Sequence, residues 1–293
     1  MDPNTIKLAS NSLSKLWDFS DPKQSGERFR CFKARADSEG NPVLGALAAT
    51  QQARALGLER RFDEGFSTLD SIDQGLSDPS GELEVRRSLE HGRLLNSSGK
   101  RSESVPHFER AWEAANESGL DGLAVDAAHM LGIVEHGDAG QSWNQRALNL
   151  AMSSDQPDAR KWRGSLLNNI AWSLHEAGEH ERALELFNDA LEVRVQEGTP
   201  TSIRIARWSV GRCLRSLGRV VVALKIQREL ESDPNADGYV FEEIAECLLA
   251  QSKAQDAKPY FSRAHAMLST DAWLVANESD RLSRLAQLGA DSE

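Results

Sequence analysis

The stretch from Ser165 to Val195, SLLNNIAWSLHEAGEHERALELFNDALEVRV, decides the fold. Leu167, Ile170, Ala171 and Leu174 recur at three- and four-residue intervals, which on a helix places them on one face. Ala177-Gly178 interrupts the pattern, and Ala183, Leu184, Phe187, Ala190 and Leu191 resume it. The spacing predicts one amphipathic helix, a tight turn and a second helix. Small residues at 171, 183 and 190 and the aromatic Phe187 stand at fixed places in this pattern.

The same frame recurs on both sides. GKRSESVPHFERA supplies Gly99, Ser104, Phe108 and Ala111, preceded by Gly92. SKAQDAKPYFSRA supplies Ala257, Phe261 and Ala264, preceded by Ala245. LGRVVVALKIQREL supplies Gly218 and Ala223 after Gly211, with Gln227 where the aromatic residue is expected. RRFDEGFSTLDSI offers Gly65 and Leu69, and DAGQSWNQRALNLA offers Gly140 and Ala147. The equivalent small positions are 65, 104, 140, 183, 223 and 257, a period of about 38 residues.

This pattern resembles the tetratricopeptide repeat, with its small residue midway along the first helix, Gly at the turn, and Ala, Phe and Ala on the second. The resemblance covers Val43 to about Leu268. It implies an all-α fold, an α-solenoid with a right-handed superhelix, built from about six helix pairs (about 43–77, 80–118, 120–154, 158–197, 200–232 and 237–268). A period above the common 34 residues implies longer helices. Pro79, Pro157, Pro200 and Pro234 fall between units, where proline starts helices. Residues 1–42 read as an N-terminal cap, with two helices over Asn4 to Ser38 whose Leu13, Leu16, Trp17, Phe29 and Phe32 cover the first repeat. Residues 269–293 read as a C-terminal capping segment, and the whole as one continuous solenoid.

Composition narrows the function. The 293 residues carry 34 basic and 45 acidic side chains, a net charge of −11 that disfavours general polyanion binding, so no nucleic-acid partner is expected. Cys31, Cys213 and Cys247 are odd in number and far apart, which suggests neither a disulfide framework nor a zinc site. Met1 to Leu13 lacks a basic start followed by an apolar block, and no apolar run approaches the roughly 18 residues of a membrane span. The reading is a cytoplasmic protein without a membrane partner. HEAGEH, from His175 to His180, spaces its histidines at i and i+5 across Gly178, whereas a zinc helix needs i and i+4. Nucleotide-binding glycine loops, the G-x-S-x-G elbow and C-x-x-C are absent. No catalytic residue, metal or cofactor is therefore expected, and the protein reads as non-enzymatic.

The resemblance implies that first helices line a concave face. There Asn168, Trp172 and His175 share one side of the fourth repeat with Lys161 and Ser165, opposite its apolar stripe. On the fifth, Arg204, Arg207, Trp208, Arg212 and Arg215 share an arc opposite Ala206, Val210, Cys213 and Leu217. From Gly198 to Arg228 there are seven basic residues and no acid; from Glu229 to Ser252 there are seven acids and no base. Two readings stay open. Arg212 and Arg215 pair with Glu242 and Glu246 and set the register between repeats, or part of the strip is free for a carboxylate-bearing partner anchored by Trp172 and Trp208. The candidate partner-binding residues are Asn168, Trp172, His175, Arg204, Trp208, Arg212 and Arg215, with Arg54, Arg93, Asn96, His129 and His136 secondary. The expected function is a scaffold or adaptor that grips an acidic or carboxylate-terminated peptide segment. The alternative is a sensor of a small anionic ligand, with His129, His136 and His175 giving pH dependence between about pH 5 and 8. The succession of Lys and Asn residues by which chaperone-binding members of the family hold a C-terminal carboxylate is not found.

Overall fold

A computed structural model of the chain describes residues 6–197 and 199–290. The first five residues of the expected N-terminal cap, Gly198 at the head of the basic stretch, and the last three residues lie outside the described residues. Among the described residues there are sixteen α-helices, one 3-10 helix and no strand. They fall into two compact units, Met1–Leu166 and Leu167–Glu293.

The first unit opens with the 3-10 helix Ser10–Leu16, followed by α1 (Pro22–Ser38), α2 (Pro42–Leu58), α3 (Phe62–Asp70), α4 (Glu82–Ser97), α5 (Arg101–Glu117), α6 (Asp121–Val134), α7 (Gly137–Ser153) and the one-turn α8 (Pro157–Arg160). Proline occupies the first turn of α1 and α2, and the side chains of Asp21 and Asn41 accept from the amides of Gln24 and Leu44 as N-caps. Leu13, Leu16, Phe29 and Phe32 are buried in one cluster with Leu44, Leu47 and Leu69. The first element of the N-terminal segment is a single 3-10 helix, where the apolar spacing predicted a helix from Asn4. Val85 and Leu89 of α4, Phe108 and Ala111 of α5, and Ala127 and Leu131 of α6 form the next core cluster.

The second unit holds α9 (Arg163–Glu176, whose first turn belongs to the first unit), α10 (His180–Glu197), α11 (Pro200–Ser216), α12 (Val220–Glu231), α13 (Gly238–Ala250), α14 (Ala254–Leu268), α15 (Ala272–Asn277) and α16 (Ser279–Gly289). Ala171, Phe187, Val210, Cys213 and Cys247 share one buried cluster. Phe241, Ile244, Phe261, Leu274, Leu282 and Leu285 share another, which α16 closes. Each unit is thus a stack of consecutive helix hairpins of the α-solenoid kind. Gly178 turns the α9–α10 hairpin with φ +81°, a left-handed conformation that costs glycine little. In the hairpins α2–α3 and α13–α14 the same work falls to Arg60 (φ 61°) and Ser252 (φ 60°), which is why no glycine marks those turns in the sequence. No described helix is long and apolar enough to cross a membrane.

Candidate functional site

The second unit gathers most of the predicted residues. Trp172 of α9 lies 5.8 Å, ring to ring, from Trp208 of α11, and also packs on His175 (5.2 Å) and Phe187 (4.9 Å). Trp208 in turn meets Tyr239 of α13 edge-on at 5.9 Å, and its indole N–H donates to the Tyr239 carbonyl at 3.2 Å. Both indoles are half-buried, held by first-helix positions that face along the stack. Asn168 accepts from Ser209 Oγ at 3.4 Å, and His175 Nε2 lies 2.9 Å from Ser216 Oγ, which also receives Arg212 Nη1 at 3.0 Å.

The arginines are all engaged. Arg212 Nε contacts Glu243 Oε1 at 3.0 Å, and Arg215 contacts both oxygens of the same carboxylate. Arg204 binds Asp237, the N-cap of α13, at 2.7 Å, and Arg207 binds Glu229. The expected pairing with Glu242 and Glu246 is corrected: Arg212 and Arg215 share Glu243, whereas Glu242 and Glu246 pair with Arg281 and Arg284 of α16. One residue is a 100° rotation on α13, enough to turn Glu242 toward the closing helix and Glu243 toward α11. Two guanidiniums thus share the Glu243 carboxylate, and Glu246 also acts on Arg215.

These guanidiniums also act on His175. Burial first, then Arg212, His180 and Arg215, hold its imidazole down at about 4. His129 is also lowered, by burial and then by Arg93 against the opposing pull of Asp126. The expected titration of His175 between pH 5 and 8 is corrected accordingly, because both rings are held toward the neutral form. His175 and His180 have ring centroids 4.7 Å apart across the Gly178 turn, although their spacing excludes a shared helical face.

The secondary residues lie in the first unit. Arg93 of α4 is clamped by Glu90 and by Asp126 of α6, each at 2.6 Å. Burial opposes the Arg93 charge, yet the two carboxylates raise its proton affinity overall. His129 packs 5.3 Å from Trp162, and its Nδ1 is buried without a hydrogen-bond partner, as is Oε2 of Glu90. Arg54 of α2 lies 5.7 Å from the rings of both Trp17 and Phe19, and Arg93 and then burial lower its proton affinity. His136 stands exposed at the N-cap of α7, outside this network. Sequence reading missed Glu90 and Asp126. The available signal was a lone acid in the Ala- and Val-rich run of α6, in register with an Arg on the preceding first helix.

Residues 164–197 match the tetratricopeptide repeat family, and this is the segment that supplies Asn168, Trp172 and His175. The chain carries a tetratricopeptide repeat. Solved tetratricopeptide-type structures resemble it along most of its length. The apo form of RapI matches at 16% identity and a TM-score of 0.67, over 91% of this chain and 78% of that one. The apo form of the quorum sensor NprR from B. thuringiensis matches at 16% identity and 0.64, over 95% and 78%. A signal-transduction ATPase with a tetratricopeptide repeat sensor, from Pyrococcus horikoshii, matches at 12% identity and 0.69, over 90% of this chain and 41% of that one. No curated protein matches the sequence. At these identities the likeness is one of fold. Within the tetratricopeptide frame the small and aromatic positions are accounted for by packing, so Trp172, His175, Trp208 and the arginines are the residues whose types the repeat does not require.

Proposed function

We propose that the chain is a tetratricopeptide-repeat interaction module that binds a peptide segment of a partner, and that α9 and α11 take a carboxylate of that segment. The observation that carries this reading is the shared Glu243. Arg212 and Arg215 bring two positive charges to one carboxylate, so an incoming carboxylate completes the pairing. Trp172 and Trp208 lie beside it with half-buried faces that would cover an apolar side chain. Ser216 supplies a hydrogen-bonding group beside Arg212, and Asn168 supplies one at Ser209, about two turns along α11. The solved structure of NprR with its cognate peptide NprX, similar to this chain at 15% identity and a TM-score of 0.55, supports a peptide as the ligand class.

The test is fluorescence anisotropy with a labelled acidic peptide carrying a free C-terminus, against wild type and Arg212→Gln. Arg212→Gln leaves Arg215 on Glu243, so the fold stays intact. At least tenfold weaker binding is expected, and blocking the peptide's carboxylates with amides should reproduce the loss. Equal affinity for the blocked peptide would remove the carboxylate from the reading, and equal affinity of the variant would remove the site. Full competition by acetate would favour the alternative of a small anionic ligand.

A further inference from the structure

α3 ends at Asp70 after nine residues, whereas α5, its counterpart in the next hairpin, runs for seventeen. The difference is about 12 Å of helix, at 1.5 Å per residue. In place of the missing turns the chain forms the connection 71–81, whose Ile72 is buried in the core and whose Leu76 packs against it. Behind this connection lies a cavity of about 470 Å³ bordered by α4 and α5. It is lined by Arg87, Ser88 and His91 of α4, His107 and Arg110 of α5, and the acids Asp73, Asp78 and Glu84.

The hydrogen-bonding groups of this cavity are unevenly spent. Glu84 is taken by Arg110 at 2.7 Å. Asp78 accepts from the amide and hydroxyl of Ser80 and from the amide of Leu83, and Asp73 accepts from the amide of Gly75. Its donors are less well matched. No ion pair or hydrogen bond engages the Arg87 guanidinium among the described residues, and the Ser88 hydroxyl, which lines the cavity, has no protein acceptor there. The imidazoles of His91 and His107 stack at 5.4 Å with an interplanar angle of 16°, and His91 Nε2 is 3.9 Å from Asp70, beyond hydrogen-bond reach. All four groups line this one cavity, and a ligand that accepts without donating would match them.

We propose that this cavity binds a small tetrahedral oxyanion of the phosphate class, held by the Arg87 guanidinium, the Ser88 hydroxyl and the His91–His107 pair. Charge decides how binding depends on pH. Arg87 and Arg110 face Asp73, Asp78 and Glu84, so with neutral imidazoles the wall carries one net negative charge and opposes an anion. Both histidines are held toward the neutral form, His91 by burial, His107 and Arg87 against Asp70, and His107 by burial and Arg110. A bound dianion reverses that balance, so binding is coupled to proton uptake by the pair. The apolar edge formed by Ile72, Leu76 and Leu83 leaves room for the organic part of a phosphate ester.

The experiment uses the full chain and sulfate, whose charge does not change between pH 5.8 and 7.5, with calorimetric titration at constant ionic strength. Saturable binding is expected at pH 5.8 and at least fivefold weaker binding at pH 7.5. Arg87→Gln, which removes no hydrogen bond or ion pair among the described residues and is checked for unchanged helicity, should weaken sulfate binding at least tenfold. His91→Gln should flatten the pH dependence, and in wild type the His91 and His107 ring resonances should shift on titration. Arg212→Gln should leave all of this unchanged, which keeps the outcome separate from the peptide reading. Inorganic phosphate and glycerol phosphate at pH 7.5 distinguish a free ion from an ester by which binds more tightly. Absence of saturable binding at pH 5.8, or binding that survives Arg87→Gln, overturns the proposal.

Discussion

Arg215 lays Nε and Nη2 on the two oxygens of Glu243, at 2.7 and 3.0 Å, and this bidentate pair ties α11 to α13. Arg212 reaches the same carboxylate through one nitrogen, and its side chain is 29% exposed against 20% for Arg215. The two arginines therefore divide the work. Arg215 has the geometry of a register pin, and Arg212 is the one that can turn to a partner without stranding Glu243. The two readings of the basic strip are complementary, since one charge is enough for Glu243.

Glu243→Gln separates these roles. The wild-type carboxylate is 4% exposed, and removing its charge leaves two guanidiniums facing an amide, so unfolding in urea should show a loss of about 3 kcal/mol, as for a broken buried pair. The freed arginines should at the same time bind an acidic peptide more tightly. Stability and affinity moving together in either direction would contradict the shared-carboxylate account.

Gly92→Ala tests the packing rule behind the repeat. A Cβ at Gly92 would sit 2.5 Å from the fully buried Phe108 ring, so ring or helix must shift to admit it. Overpacking of this kind costs about 2–3 kcal/mol, so the chemical-denaturation midpoint should fall clearly. Adding Phe108→Leu in the same chain should recover part of the loss. A silent Gly92→Ala would mean that the α4–α5 contact does not depend on a bare glycine.

Much of this was legible in the sequence, and the limits have physical causes. Gly92, Ala171, Phe108, Phe187 and Phe261 declare themselves because close helix packing leaves few alternatives at those positions. The turns at Arg60 and Ser252 do not, because a left-handed residue other than glycine carries no distinctive mark. The charge swing between α11 and α13 announced ion pairing but not its register, which depends on a helical rotation that sequence spacing does not resolve. The cavity beside α4 was not legible at all. It arises from a helix that stops early, and His91 and His107, sixteen residues apart, look like unrelated surface positions until that gap exists.

Gln227 stands where the repeat pattern expects an aromatic, and it is fully buried, with Oε1 unpartnered and Nε2 on the Trp208 carbonyl at 3.3 Å. Gln227→Met keeps the volume and removes the stranded acceptor, so a gain of about 1 kcal/mol is expected in urea unfolding. The Trp208 carbonyl lies within α11 and retains its helical setting, so little is lost on that side. A net loss of stability would show that the weak amide bond outweighs the stranded oxygen.

His175 makes stability depend on pH with a definite sign. Its folded value of about 4 lies below the ordinary imidazole value of 6.5, so as pH falls below about 6.5 the unfolded chain takes up a proton that the folded chain refuses until about pH 4. Stability is lost across that window and levels off below it. The ring is only partly buried, which cuts the contribution to about 1–2 kcal/mol. His175→Gln, which can keep a hydrogen bond to Ser216, should remove this slope between pH 7 and 4.5. Arg212→Gln should instead raise the His175 midpoint, because Arg212 is the charge that lowers it most, after burial. A proton NMR titration follows both, and a wild-type midpoint near 6.5 would show that the charge of Arg212 and Arg215 does not reach the ring.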